Sequence, residues 1–284
     1  MAIGGPSKII EGKKTFQTSS YLEKFYDFSQ ELDTLKELNK ELPRLIKKSF
    51  LTKMTRNVKE LKKNEKEWKE FEVLETTIFG IMTDLRNKKP DIKPPETLDV
   101  SPKATNLYFE SLVAASHSRK YVEFIRIMSL EFLVVEMEAF LQKILTVTYN
   151  RKPETLSSSQ KNITYEDLVK FSSLDEVRNE MIEDTLLSLF MKKDIEEWNN
   201  YFKQKFGIEL AAMTDWAQFK ERFYRRNNLI HNSGFVNKIY RTKTGYKGND
   251  KVLRVTPKYL NDSISLFNDF ASGLSKEFDQ KFSE

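Results

Sequence analysis

Apolar residues recur at helical spacing along most of the chain. Between residues 20 and 50 they fall at Tyr21, Leu22, Phe25, Phe28, Leu32, Leu35, Leu38, Leu42 and Leu45, the three- and four-residue rhythm of an amphipathic helix. Pro43 either kinks that helix or begins a new one. A second, more charged helix is predicted over residues 51–86, through Val58, Leu61, Trp68, Phe71, Leu74, Ile78, Ile81, Met82 and Leu85. Together the two predict a long antiparallel hairpin, packed first on the chain's own second domain. A coiled coil with a partner and a sensor module are the alternatives. Residues 1–19 are polar and aperiodic and read as a flexible tail. Pro90, Pro94, Pro95 and Pro102 crowd into residues 87–105, which read as a linker and a domain boundary.

The helical pattern resumes over residues 106–149. The apolar run from Tyr121 through Phe124, Met128, Phe132, Phe140, Ile144 and Leu145 predicts the most buried helix of a bundle. Glu131, Glu136 and Glu138 interrupt it. They read as its exposed side, the alternative being that one of them orients a neighbouring site. Further helices are predicted over residues 162–171, 175–192 and 194–206, with Gly207 ending the last. Residues 238–244 and 251–256 flank a Gly-rich turn and predict two short strands in a small β-hairpin. Thr256 and Pro257 then open a final helix as N-cap and first helical residue. The fold class expected is mainly all-α, a helical bundle over residues 106–284 with a small β-hairpin insertion, preceded by the hairpin module of residues 20–86.

Residues 216–234 are the most informative stretch. Trp216, Phe219, Phe223 and Ile230 form one apolar stripe, Thr214 or Asp215 can cap the start, and Gly234 is a left-handed stop. At about 100° per residue, Arg226 falls roughly 50° to one side of the stripe and Asn227 about as far to the other. Arg225 points toward water. A guanidinium beside an apolar face must find partners. His231 lies in the last turn. The other histidine, His117, has no motif around it and reads as a surface or helix-start residue.

Composition narrows the chemistry. The 284 residues include no Cys and only two His, which removes disulfides and thiolate metal ligands and fits a reducing, cytoplasmic setting. No uninterrupted apolar run approaches a membrane span, and the first residues lack the apolar centre of a signal peptide. No Walker lysine loop, dinucleotide glycine fingerprint or nucleophile-elbow serine is present. Neither a cofactor nor a metal is expected. The net charge is only +5, but residues 219–258 hold eleven Lys and Arg against two acids, a balance suited to a polyanion such as RNA. Arg222, Arg225, Lys238, Arg241 and Lys243 are the candidate RNA-binding residues there.

The run Arg226-Asn227-Asn228-Leu229-Ile230-His231, followed by Asn232-Ser233-Gly234 and the downstream Tyr240, resembles the Arg-polar-x-x-x-His motif of the HEPN domain family. The resemblance covers residues 106–284 and not the N-terminal third. It implies a helical bundle that cleaves RNA, found in toxins and antiviral-defence effectors, with Arg226, Asn227 and His231 catalytic. RNA carries its own nucleophile, the 2′-OH. Cleavage without a metal needs a base for that proton, an acid for the leaving 5′-oxygen and a cation for the phosphorane. His231 suits proton transfer and Arg226 suits the phosphate, while Asn227 can orient either. The resemblance further implies 2′,3′-cyclic phosphate and 5′-OH ends, and two motifs facing each other in a homodimer with a composite active site. Such an enzyme needs an antitoxin or a trigger protein, for which the N-terminal helices are the expected surface. A non-catalytic scaffold or adapter of the same type and a basic RNA-binding module are the competing readings.

Overall fold

A computed structural model describes residues 7–10, 13–16, 20–87, 97–156 and 164–282. The chain is all-α. A short antiparallel strand pair, β1 (Ser7–Ile10) with β2 (Lys13–Phe16), lies within the stretch expected to be a tail. Helix α1 (Ser20–Leu61) runs unbroken through Pro43, and α2 (Glu65–Arg86) follows after a turn at residues 62–64. The turn therefore comes later than the apolar pattern suggested. Asn64 sets it, because its side chain accepts from the backbone N–H groups of Lys66 and Glu67 and caps α2. Of the proline-rich stretch, residues 88–96 lie outside the described residues. Helix α3 (Pro102–Arg151) takes Pro102 as its first residue, where a missing N–H is harmless.

The compact units divide inside α1 and α3, not at the proline-rich segment. One unit comprises Met1–Glu37 and Arg126–Glu284, the other Leu38–Ile125. The expected N-terminal module is thus split. The first turns of α1 belong to the larger core through Tyr21, Phe28, Leu32 and Leu35, with the Phe28 ring 5.0 Å from that of Phe140. The smaller unit has its own core of Leu61, Phe71, Leu74, Ala104 and Tyr108.

In the larger unit, α4 (Tyr165–Leu168) and α5 (Leu174–Lys192) lead to α6 (Ile195–Phe206). Asp194 and Glu197 form a reciprocal capping box at the start of α6, and Gly207 ends it at φ 65°. Helix α7 (Trp216–His231) is capped by Asp215, whose side chain accepts from the Gln218 N–H. A short helix, α8 (Lys238–Thr244), follows. Helix α9 (Pro257–Phe282) is capped by Thr256 through the Tyr259 N–H. Phe219 of α7 packs its ring 4.9 Å from Phe267 and 4.5 Å from Phe270 of α9, an aromatic cluster that fixes α7 along the core.

Two expectations fail here. The β-hairpin insertion is absent: its first expected strand is helix α8, an extended segment follows, and an isolated bridge joins Phe235 to Val252. The reason is local. The Asn237 side chain accepts from the Tyr240 N–H, and Gly245 stops the helix at φ 67°, so capping overrides the β-branched pattern. The second failure is in α3. From Leu130 to Tyr149 its apolar stripe is buried, but Tyr121, Phe124, Met128 and Phe132 are exposed. Among the described residues no helix is long and apolar enough to cross a membrane.

Candidate active site

The motif residues lie in the last turns of α7. Arg226 is turned toward α3, where its Nη2 donates to Glu138 Oε1 at 3.1 Å and its Nε lies 3.3 Å from Glu131 Oε2. Its Nη1 donates to Asn227 Oδ1 at 2.9 Å. The Arg226 side chain is only 17% exposed, so its desolvation is offset by two carboxylates and an amide oxygen. Glu131 and Glu138 are seven residues apart and share a face of α3. The face expected to be plain surface is the one that orients Arg226. Glu136 shows no such contact. Burial holds the Glu138 carboxyl above its usual range; Arg226 opposes that shift and Glu131 adds to it.

Asn227 and His231 are exposed. Among the described residues His231 has no hydrogen-bond or ion-pair partner. The structure therefore joins Arg226 to Asn227 and leaves His231 separate, at the helix end. That end is rigid. Asn232 and Gly234 both donate backbone N–H groups to the Asn228 carbonyl, at 2.9 and 3.1 Å, with Ser233 at φ 50° and Gly234 at φ 78°. The Leu253 N–H donates to the Gly234 carbonyl at 2.8 Å, and the Val236 N–H to the Lys251 carbonyl at 3.0 Å. The turn carrying His231 is thus clamped to the segment before α9. Ile230, expected in the apolar stripe, is 43% exposed, and Leu229 takes the buried position.

The expected RNA-binding residues separate into two groups. Arg222 is buried and donates to Ser263 Oγ, the Gln218 carbonyl and Gln218 Oε1. Arg225, expected to face water, is mostly covered. It donates to Glu221 Oε1 at 2.6 Å and to the Arg254 carbonyl at 2.9 Å, and lies 4.2 Å over the Tyr259 ring. Both serve the fold and not an open phosphate surface. Lys238 and Arg241 are on α8, where Arg241 is exposed but tied to the Gly248 carbonyl at 3.0 Å. Lys243 pairs with Asp194 at 2.8 Å, and this hydrogen bond is the main reason the Asp194 carboxyl sits below its usual range. His117 of α3 lines a groove with Phe50 and Tyr121 in the smaller unit.

Sequence reasoning missed the residue that ties α7 to α8 and α9. Glu221 accepts from the hydroxyls of Tyr240 and Tyr259, at 2.5 and 2.7 Å, as well as from Arg225. Its only signal was the Glu-to-Arg spacing of four between Glu221 and Arg225. Asn228 was also missed: its side-chain amide is buried and, among the described residues, has no hydrogen-bond partner. Among the described residues no three His, Asp or Glu side chains converge closely enough to hold a metal ion. The chain matches no family model, no curated protein and no solved structure.

Proposed function

We propose that this chain is a metal-independent endoribonuclease of the HEPN type, acting as a toxin or antiviral-defence effector. The observation that carries the reading is the end of α7. A desolvated Arg226, oriented by Glu131, Glu138 and Asn227, sits just over one turn before an exposed His231, unpartnered among the described residues, on a backbone clamped by Gly234. In the reaction a base takes the 2′-OH proton and O2′ attacks the phosphorus. The P–O5′ bond breaks, and O5′ takes up a proton, leaving a 2′,3′-cyclic phosphate and a 5′-OH. One His231 serves one of the two proton transfers. A second copy across a two-fold axis supplies the other, which makes the site a composite of two chains. Exposed Ile230, Phe235 and Ile239 around the end of α7 support burial against such a copy. An antitoxin or trigger protein on the N-terminal helices completes the reading.

A non-catalytic scaffold is the second reading. It is favoured by the pairing of Arg226 with two carboxylates, an arrangement that also serves structure alone. The test is cleavage of tRNA, rRNA and mRNA in EDTA by wild type, His231→Ala and Arg226→Ala, with end-group analysis, sedimentation and circular dichroism. Cleavage by a wild-type dimer alone, with cyclic-phosphate ends, supports the nuclease. Equal residual cleavage by folded His231→Ala, or activity in an obligate monomer, refutes the composite site.

A further inference from the structure

A second dense run of positive charge lies outside the unit that holds α7. Residues 40–63, all in the smaller unit, hold nine Lys and Arg against two acids, a balance of +7 where the whole chain carries +5. The next helix is the opposite: α2 has six acids against three basic residues. The positive charge is therefore concentrated on one helix of the unit and is not a general property of its surface.

Within that helix the charge is also one-sided. Arg44, Lys47, Lys48, Leu51, Thr52, Thr55, Arg56 and Lys59 line one shallow groove, and at about 100° per residue they share roughly half of the helix circumference. Ile46, Ser49, Phe50 and Lys53 are on the other side and, with Leu45 at the edge of the cationic half, line a groove with Ala114, His117 and Tyr121 of α3. So α1 meets α3 mainly with uncharged residues and, Lys53 apart, turns these cations outward. Lys47, Lys48, Arg56 and Lys59 are exposed, and among the described residues none has an ion-pair partner. Holding four like charges along one face costs stability through repulsion, which a polyanion would relieve. From Arg44 to Lys59 the face is about 22 Å long, enough to follow several consecutive phosphates. Thr52 and Thr55 place hydroxyl donors between the cations, suited to phosphate oxygens.

We infer that this face of α1 is an RNA-docking surface, which holds the phosphate backbone of the substrate independently of α7. The inference rests on RNA being the ligand of the proposed site and gives the smaller unit a role in that function. The contacts are electrostatic and read no sequence.

The test uses the full chain and a fluorescein-labelled 2′-O-methyl oligouridylate, which has no free 2′-OH and so binds without being cleaved. Anisotropy titrations over a salt series compare wild type, a variant carrying Lys47→Gln, Lys48→Gln, Arg56→Gln and Lys59→Gln, and the control Lys66→Gln/Lys69→Gln on α2. All are checked for fold by circular dichroism. Each phosphate that a cation no longer neutralises lowers the salt slope by about 0.7. The slope of the fourfold variant should therefore be smaller by about 3, with affinity down at least about tenfold at low salt; the control should match wild type. Unchanged slope and affinity in the fourfold variant would overturn the inference, as would a wild type that binds anionic phospholipid vesicles but not the oligonucleotide. The probe cannot be cleaved, so this readout does not depend on turnover at α7. Docking through α1 without cleavage of natural RNA therefore removes the catalytic reading alone, and cleavage unaffected by the fourfold change removes this one alone.

Discussion

The Arg226 guanidinium donates to Glu138 Oε1 at 3.1 Å, joining residues 88 apart in sequence. This hydrogen bond, with the 3.3 Å approach to Glu131, turns the end of α7 toward α3. Arg226→Ala would leave two carboxylates facing each other with no cation between them. The expected loss is about 2 kcal/mol, the range for a hydrogen bond to a charged group, read as a lower urea midpoint. Arg226→Lys should recover only part of it, because an ammonium lacks the planar fork that donates to Asn227 and Glu138 at once. A midpoint equal to wild type in the alanine variant would show that the ion pair contributes nothing.

The same pair has a pH signature. Burial raises the Glu138 carboxyl, and Arg226 opposes the rise. A carboxyl raised in the folded state gives stability that is present below the ordinary glutamate range and lost as pH rises through the folded value. Glu138 should titrate above that range by carboxyl-carbon NMR, and Arg226→Ala should push it higher still. Glu138→Gln should flatten the decline of stability across that window. A Glu138 midpoint at or below the ordinary range would contradict a carboxyl governed by burial.

Most helices were legible because their signals are local. Asp194, Gly207, Asp215, Thr256 and Gly234 act where capping and stop chemistry place them. The partners of Arg226 were foreseeable only in kind: its angle beside the apolar stripe demanded an acceptor, but which α3 carboxylates would meet it depends on how two helices pack. Arg225 was misjudged for a related reason. Helical periodicity placed it toward water, but α8 and Tyr259 of α9 cover that side. Residues 238–256 were misread because β-branched residues suggested strands, while a single asparagine cap and a glycine stop decide the local backbone.

Glu221 anchors α7 to two other helices, and its removal should be felt there. The Tyr240 hydroxyl is raised by burial first and by Glu221 second, and Tyr259 is raised well above its usual value for the same reasons. Glu221→Ala would leave both hydroxyls without their acceptor and take from Arg225 its carboxylate partner, leaving it the Arg254 carbonyl. The expected loss is about 3 kcal/mol in denaturant unfolding. Tyr240→Phe, which removes one donor and leaves the carboxylate its other partners, should cost about 1 kcal/mol. Equal losses for the two would mean that the network does not converge on Glu221.

Two left-handed glycines separate backbone strain from crowding. Gly245 has φ 67° and open space where a Cβ would lie, whereas Gly234 has φ 78° and a Cβ there would meet the Leu253 carbonyl at 3.1 Å and Leu229 Cδ2 at 3.2 Å. Gly245→Ala should cost only the left-handed penalty, about 1 kcal/mol. Gly234→Ala adds displacement of a backbone carbonyl that cannot rotate aside, for a total of about 2–3 kcal/mol. Because the Leu253 N–H donates to the Gly234 carbonyl, the strain is delivered to the clamp beneath His231. If that clamp sets the catalytic geometry, Gly234→Ala should lose RNA cleavage at temperatures where circular dichroism shows it folded, and Gly245→Ala should not. Equal melting temperatures for the two variants would remove the close approach at Gly234 from the account, and with it the reason that only glycine fits there.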